Sequence, residues 1–280
     1  MILRTHTCTG LLTFVNLILY AVVGVAALFD GRTVPPPVVW EQEFAAQANR
    51  SDRQVADRVV RLLGLSLATP VHDFAIRHDA ERHLVLDFYH ANGRHKVTVL
   101  DHPGRLRVEH TRATLWQYLT TLHVTTAAFH SGDWRMQLWA WWNEFAMWCL
   151  AVMAASGVCI WSARRGTRGT LRSVHRYTAL GALALVAVYE ISAMQMAHRT
   201  WLKAGAMLGA LNRIHRMRGA GFSPLLGVAL IVLCATGLSL WWKLHRERQV
   251  GALLLAFGLV LAGGLIWWMR IDAPPHHGFW

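Results

Sequence analysis

Four histidines stand at the ends of long apolar segments, where a titratable side chain is costly and therefore points to function. His6 and His175 each come just before an apolar run that starts near a glycine, in "RTHTCTGLL" and "SVHRYTALGAL". His123 and His215 precede two other apolar segments, in "TLHVTT" and "RIHRMRG". Neutral imidazole is a good axial ligand for haem iron, so histidines that face each other between helices predict b-type haem.

An internal repeat pairs these histidines. The second apolar segment ends in "SGVCIWSARR" and the fourth in "TGLSLWWKLHR", which share a Gly-x-x-x-Trp ending followed by basic residues. Helix pairs of the same orientation indicate a parallel repeat about an axis along the membrane normal. The repeat predicts that His6 faces His175 on one side of the membrane and that His123 faces His215 on the other. We therefore expect two haem b groups, because one could not easily bridge about 30 Å of hydrocarbon.

Alternatives stay open for these residues. Any one of the histidines is equally explained as an interfacial polar residue or a helix cap, and His130 or His198 could replace His123 or His215 as the outer ligand. Two acidic residues, Glu144 and Glu190, fall inside apolar segments; structural pairing is favoured for them over a quinone or proton site. Four arginines are candidates for binding haem propionates, although lipid phosphate or water would serve them equally well: Arg4, Arg176, Arg213 and Arg216.

The elements that must position these residues are membrane helices. The chain is 54% hydrophobic and 16% charged, a composition typical of an integral membrane protein with one modest soluble domain. Five segments have the roughly 20 residues that a helix needs to cross a bilayer. They are Leu11–Phe29, Leu138–Trp161, Tyr177–Ala197, Phe222–Trp242 and Val250–Trp268.

Short basic loops set the expected orientation. "SARRGTRGTLRS" and "KLHRER" follow the second and fourth segments and should be cytoplasmic, which places the N-terminus inside and residues 30–135 outside. The net charge of +12 lies largely beside membrane helices, so lipid headgroups or cofactor carboxylates are the expected counter-charges, not nucleic acid. The four cysteines lie in or beside membrane segments and predict no disulfide framework. The sequence also lacks C-x-x-C-H, a P-loop and a G-x-G-x-x-G motif after a strand.

The external segment predicts a small α+β domain. "SDRQVADRVVRLLG" reads as an amphipathic helix with Ser51 as its N-cap, and four alternating segments follow as strands, the last three joined by turns at "ANGR" and "DHPG". Seven histidines are scattered over this domain, and we expect solvated strand faces for them, with a weak surface metal site as the alternative. They are His72, His78, His83, His90, His95, His102 and His110.

The chain resembles the PepSY-associated transmembrane family, the iron-regulated membrane proteins that include ferric-siderophore reductases. The resemblance covers roughly residues 1–245 and rests on "VHRYTALGAL", the "LH" of His123, "IHRMRGAGFSPLLGVAL", the two Gly-x-x-x-Trp endings and a PepSY-like "HKVTVLDHPGRLRV". It implies a bacterial inner-membrane protein whose membrane histidines hold haem b and pass electrons from the cytoplasmic side to periplasmic ferric iron. Carried over residue by residue, it implicates His6, His123, His175 and His215.

Two departures from that family bear on substrate and partners. The outer loop between the third and fourth helices is short, which leaves little surface for a bulky siderophore and room for a subunit role in a larger complex. The tail "IDAPPHHGFW" follows a fifth helix, and His276 and His277 could bind metal there, although a disordered terminus is the simpler expectation.

These observations predict a mainly α membrane protein with a four-helix haem-binding bundle, a fifth transmembrane helix and a small periplasmic domain. The expected boundaries are 1–29 for the first helix, 30–115 for the PepSY-like domain, 116–245 for bundle helices two to four, and 246–280 for the last helix and tail. The expected function is electron transfer from a cytoplasmic-side or quinol donor to a periplasmic ferric chelate or protein acceptor. The alternatives are a haem-bearing accessory subunit of a quinol-linked complex and a cofactor-free PepSY scaffold.

Overall fold

The computed structural model shows a mainly helical chain with one small sheet. It describes residues 1–26, 35–44, 50–65, 75–100, 104–126, 133–163, 169–198, 205–216, 222–243 and 248–271. Within these ranges four helices are long and apolar enough to cross a membrane, and a bent helix pair would make five. The chain is therefore a multi-pass membrane protein.

The membrane helices follow the predicted order, with one difference at the start. The predicted span Leu11–Phe29 contains α2 (Phe14–Ala26), and a further helix, α1 (Ile2–Leu12), precedes it at an angle of 65°. The two helices meet at Thr13, a fully buried residue whose hydroxyl donates to the carbonyl of Thr9 at 2.8 Å. Helix α1 was not predicted.

Between the last strand and the last membrane span, the structure describes three long helices and two short ones. The long helices are α5 (Trp134–Ala163), α6 (Thr170–Ala197) and α8 (Phe222–Lys243). The short helices α4 (Leu115–Val124) and α7 (Ala206–Arg216) carry His123 and His215, and α7 occupies a segment that we had expected to be a loop. The last span consists of α9 (Arg248–Gly258), a π-helical turn (Leu259–Gly263) and α10 (Gly264–Ile271).

Residues 1–30, 123–128 and 139–265 form one compact unit, here called the bundle. Within it α8 packs against α2 and α6, and glycines allow two of these backbones to approach closely. A Cβ on Gly227 would stand 2.6 Å from the carbonyl oxygen of Ala21, and one on Gly24 would stand 2.8 Å from that of Ser223. Small residues at such positions are typical of helix contacts in membranes. These glycines hold α2 and α8 close together, and both helices carry residues that are described below.

The second unit, here called the sheet domain, comprises residues 31–122, 129–138 and 266–280. It therefore includes residues 116–122, which we had assigned to the membrane bundle. Its five strands have the order β1-β5-β4-β3-β2, and all neighbours are antiparallel. The strands are β1 (Val38–Glu43), β2 (Ile76–His78), β3 (Leu84–His90), β4 (Gly93–Leu100) and β5 (Arg105–Arg112).

Local signals in the sheet domain are confirmed. Helix α3 (Asp52–Leu62) begins at Ser51, which forms a capping box with Gln54, and Gly64 follows its end with a φ of 61°. The hairpins β3–β4 and β4–β5 have the expected antiparallel pairing. Strand β1 was missed because it pairs with β5, far away in sequence. One sheet face and α3 form an apolar core.

The prediction of solvated histidines was wrong for the three on the inner face of the sheet. His95 and His110 are only 1% and 3% exposed, and His90 is partly buried beside them. His78 is exposed and His83 is partly exposed, in agreement with the prediction. His72 and His102 lie outside the described residues.

Candidate functional site

His6 lies on α1, and its Nδ1 nitrogen makes hydrogen bonds to the C-terminal half of α5. Nδ1 is 3.1 Å from the carbonyl oxygen of Met153 and 3.0 Å from the Oγ atom of Ser156. A carbonyl can only accept, so Nδ1 carries the proton and donates. The Ser156 hydroxyl gives its own hydrogen to Met153, so its oxygen is also an acceptor. The remaining nitrogen, Nε2, therefore holds a lone pair and has no hydrogen-bond partner in the described parts of the chain.

His175 on α6 has the same arrangement against α8. Its Nδ1 lies 2.7 Å from Oγ1 of Thr236, and that hydroxyl donates to the carbonyl of Val232 at 2.7 Å. When the hydroxyl hydrogen of Thr236 turns to Val232, Thr236 accepts and the Nδ1 of His175 donates. In that tautomer Nε2 keeps its lone pair, and it has no hydrogen-bond partner among the residues that the structure describes. The rings of His6 and His175 are close enough to interact electrostatically.

His123 and His215 face each other from α4 and α7, with ring centroids 6.4 Å apart and planes tilted by 32°. The Nδ1 of His215 lies 2.5 Å from Oγ of Ser192, whose hydroxyl donates to the carbonyl of Tyr189 at 2.9 Å. When that hydroxyl turns to Tyr189, the Nδ1 of His215 donates to it, as in the other pair. His123 differs, because its Nδ1 is buried and has no hydrogen-bond partner in the part of the chain that the structure describes. Burial, and then the nearby His215, lower the pKa of His123 to about 4.

The surroundings of the four histidines repeat at fixed intervals along the chain. His6 and Tyr20 correspond to His175 and Tyr189 at a constant offset of 169 residues. The ring of Tyr20 packs edge-on against His123, and that of Tyr189 packs against His215. The repeat proposed from the helix endings thus extends to two tyrosines that sequence reasoning missed, and the constant offset is the signal that could have found them.

The partners on α5 and α8 also correspond, at a constant offset of 80 residues. The hydroxyl of Tyr20 donates to Oδ1 of Asn143 at 2.8 Å, and the hydroxyl of Tyr189 lies 2.6 Å from Oγ of Ser223. Ser156 and Thr236, the two histidine acceptors, have the same offset, as do the glycines that follow them. A Cβ on Gly157 would be 3.6 Å from His6, and one on Gly237 would be 3.4 Å from His175. Each imidazole therefore packs on a helix position that has no side chain.

The two histidine pairs lie at different levels of the bundle. On α5, Asn143 bonds to the backbone of His123 and Ser156 bonds to His6. These two residues are about 20 Å apart along the helix axis at 1.5 Å per residue. Two separate sites therefore lie one above the other within the same set of helices.

The geometry of the His123/His215 pair is compatible with a metal ion between the rings. A metal–imidazole bond is about 2 Å long, and the ring centre lies about 1.1 Å behind the nitrogen, so a linear arrangement separates the centroids by roughly 6 Å. The observed separation of 6.4 Å is close to that value. At the His6/His175 pair, donation from both Nδ1 atoms would leave both Nε2 atoms with lone pairs, the state that metal binding requires.

The arginines are arranged less regularly than the histidines. Arg4 and Arg213 are exposed, whereas Arg176 is half-buried, with its guanidinium 6.0 Å from the ring centre of Tyr177. The side chain of Arg216 lies outside the described residues. Arg4 and Arg176 flank the His6/His175 pair in sequence, and Arg213 lies two residues before His215.

The alternative ligands and the acidic residues have separate positions. Nε2 of His198 lies 2.9 Å from Oε1 of Glu144, an ion pair only when His198 is protonated. Glu190 is buried, and its Oε1 has no hydrogen-bond partner within the described ranges. Tyr20 is close enough to Glu190 to interact electrostatically. His130, His276 and His277 lie outside the described residues.

No known protein family matches this chain, and no curated protein or solved structure is detectably similar to it.

Proposed function

We propose that this chain is a di-haem b electron-transfer protein of the bacterial inner membrane. In this proposal His6 and His175 bind one haem on the cytoplasmic side, and His123 and His215 bind the second on the periplasmic side. Electrons from a cytoplasmic-side or quinol donor pass outward to a ferric chelate or a protein acceptor, with the soluble domain in the periplasm. The resemblance to the PepSY-associated transmembrane family, with its ferric reductases, is part of this proposal.

The observation that carries the proposal is the hydrogen bonding of Nδ1 in three of the four histidines. The Nδ1 atoms of His6, His175 and His215 each lie within 3.0 Å of a hydroxyl oxygen that also reaches a carbonyl of its own helix, and in this proposal each Nδ1 donates to that oxygen. Such an acceptor fixes the tautomer and the ring orientation, and it leaves Nε2 as the ligand atom. A histidine that merely capped a helix would not require this arrangement three times.

The chain's own residues would hold and tune the two sites. Bound haem would supply reversible one-electron chemistry at each pair. The hydroxyls of Ser156, Thr236 and Ser192 make the imidazoles better electron donors by accepting from Nδ1. Gly157 and Gly237 let two of the rings pack directly on a helix. Arg4, Arg176, Arg213 and Arg216 are the arginines proposed to bind the propionates, and the surrounding apolar side chains exclude water.

The relative levels of the two pairs favour conduction over simple storage. Their protein anchors are about 20 Å apart along α5, within a hydrocarbon core of about 30 Å. Two groups at these levels would divide the crossing into shorter steps, and electron tunnelling falls steeply with distance. In this proposal lipid surrounds the exposed apolar faces of these helices, and the same faces also suit contact with a partner in a larger redox complex.

Electron transfer across a sealed bilayer tests this function directly. Purified protein in liposomes would receive dithionite on one side, while a ferric chelate whose ferrous product is coloured is enclosed on the other. We expect ferrous product with the wild-type chain and its loss in either His175→Ala or His215→Ala, because each removes one site. The matched control is His83→Ala, which alters a histidine of the sheet domain. Equal rates in all four proteins would contradict the proposal.

A second candidate, a haem-bearing accessory subunit that exchanges electrons with quinol, is favoured by one observation. Glu190 is a buried carboxyl group with one oxygen unpartnered among the described residues, near Tyr20. Quinol oxidation requires a group that accepts protons at membrane depth. Quinol-dependent haem reduction that is lost in Glu190→Gln but retained in Glu144→Gln would support this candidate over outward iron reduction.

A further inference from the structure

Three histidines converge at one end of the inner face of the sheet domain. His90 ends β3, and a turn at Ala91 and Asn92 connects it to β4. His95 on β4 lies directly opposite His110 on β5. Because side chains alternate along a strand, these three share a face with the apolar core. The backbone pairing of three adjacent strands therefore sets the relative positions of the imidazoles.

The three imidazoles touch one another. The rings of His95 and His110 stack with centroids 4.2 Å apart and planes only 6° from parallel. The Nε2 atom of His90 lies 2.9 Å from Nδ1 of His95. One ligand nitrogen from each residue lies within 4.8 Å of the other two. Tetrahedral bonds of about 2.0–2.1 Å would place such nitrogens roughly 3.4 Å apart. Small rotations of the side chains would bring the three nitrogens to this separation around one ion.

The contacts among the three rings do not provide a hydrogen-bond partner for Nε2 of His95. His95 is 1% exposed, and its hydrogen bond to His90 uses only Nδ1. Its second nitrogen, Nε2, is buried and has no hydrogen-bond partner in the described parts of the chain. An unsatisfied buried polar atom destabilises the folded state unless a ligand completes it. A bound cation would use one lone pair from each ring.

We propose that His90, His95 and His110 form a binding site for a late first-row divalent metal ion, with Zn²⁺ as the reference ion. Imidazole ligands suit zinc and copper, whereas calcium and magnesium prefer oxygen. Three protein ligands leave a fourth coordination position for water or another small ligand. The edge of Trp40, whose ring centroid is 6.3 Å from that of His95, supplies an apolar wall. This site is independent of the haems proposed for the bundle.

Zinc stoichiometry of the full-length chain tests the proposal. The protein carries an affinity tag without histidine, and His276→Ala and His277→Ala remove the terminal histidine pair. After equilibrium dialysis against Zn²⁺, elemental analysis gives zinc and iron per chain separately, so haem loss does not alter the zinc count. We expect about one zinc fewer per chain in His95→Gln than in the parent. His78→Gln is the control, because His78 is an exposed histidine of the same domain that lies outside the cluster.

A second variant keeps the result interpretable, because His95→Gln alters a buried residue. His90→Gln changes the most accessible of the three and should also lose the zinc while retaining a folded sheet domain. Zinc should also raise the Tm of the parent and of His78→Gln but not that of His90→Gln. Equal zinc counts in the parent, His90→Gln and His95→Gln would overturn the proposal, as would a parent that binds no zinc.

Discussion

Replacement of Thr236 by valine tests the role of the hydroxyl acceptors most sharply. Valine has nearly the shape of threonine but cannot accept the hydrogen bond that Nδ1 of His175 donates at 2.7 Å. Hydrogen-bond partners of metal-bound histidines are typically worth about 10- to 100-fold in metal affinity, because they orient the ring and raise its basicity. The affinity of the His6/His175 pair for haem should therefore fall by roughly that factor.

Ser156→Ala provides an internal comparison. The Nδ1 of His6 is also 3.1 Å from the carbonyl of Met153, so it keeps an acceptor when the Ser156 hydroxyl is removed. The expected loss is therefore only about 0.5 kcal/mol, or roughly a factor of two in affinity. The two substitutions act on opposite members of the same pair, and their unequal effects follow from this one additional hydrogen bond.

The assay isolates one pair of histidines. In a chain with His123→Ala and His215→Ala, haem titration of the apoprotein followed by absorbance reports only the His6/His175 pair. Thr236→Ser is the control, since it keeps the hydroxyl. A weaker donor at His175 should also raise the reduction potential, because Nδ1–H donation makes the ligand more basic. Unchanged affinity in Thr236→Val, or equal losses in Thr236→Val and Ser156→Ala, would refute the reasoning.

Three further outcomes concern the stability of the two units. Gly227→Ala places a methyl group against the facing backbone of α2 and should cost about 1–3 kcal/mol, seen as a Tm lower by roughly 2–4 °C per kcal/mol. Tyr189→Phe removes the 2.6 Å hydrogen bond to α8 and should cost about 1 kcal/mol, measured in the same way. Burial alone would raise the pKa of Asp133, but hydrogen bonds from Arg135 outweigh it and hold that pKa below its ordinary value. The ion pair therefore stabilises the folded chain at pH values above the ordinary carboxyl pKa, and this stabilisation is lost as the pH falls through the lowered pKa of Asp133. Asp133→Asn should accordingly reduce the Tm at pH 7 but not in strong acid.

The glycine and tyrosine predictions each have a control on a membrane helix. Gly181→Ala lies on α6, where a Cβ would meet no heavy atom within 4 Å, and should leave the Tm unchanged. Tyr177→Phe alters an exposed tyrosine and should do the same. A Gly227→Ala chain as stable as Gly181→Ala would show that the close approach of α2 and α8 does not matter. A Tm difference for Asp133→Asn that persists into strong acid would contradict the assigned ion pair.

Elements with local signals were predictable from the sequence. The Ser51 capping box, the turn between β3 and β4, and the long apolar helices each depend on residues close together in the chain. Strand β1 depends on pairing with β5, more than sixty residues later, and its own segment gave no turn signal. Helix α1, which meets α2 at Thr13, was not predicted.

The candidate site was predictable in its histidines but not in their partners. The repeat picked out His6, His123, His175 and His215 because the helix endings recur in sequence. The acceptors Ser156 and Thr236 stand inside those same endings, but their role depends on which way a hydroxyl turns within the helix. The histidines of the sheet were misjudged although alternation places His95 on the same strand face as Val97 and Val99. The pairing of β4 with β5 then brings His95 opposite His110, and both are buried.

The haem content of the purified chain tests the central claim most directly. Protein from haem-replete cells would be examined by absorption in the oxidised and dithionite-reduced forms, with haem and protein quantified separately. We expect low-spin b-type bands at two haems per chain, reduced to one by His6→Ala with His175→Ala, and likewise by His123→Ala with His215→Ala. A chain that folds in the membrane without haem would contradict the claim and favour a cofactor-free scaffold.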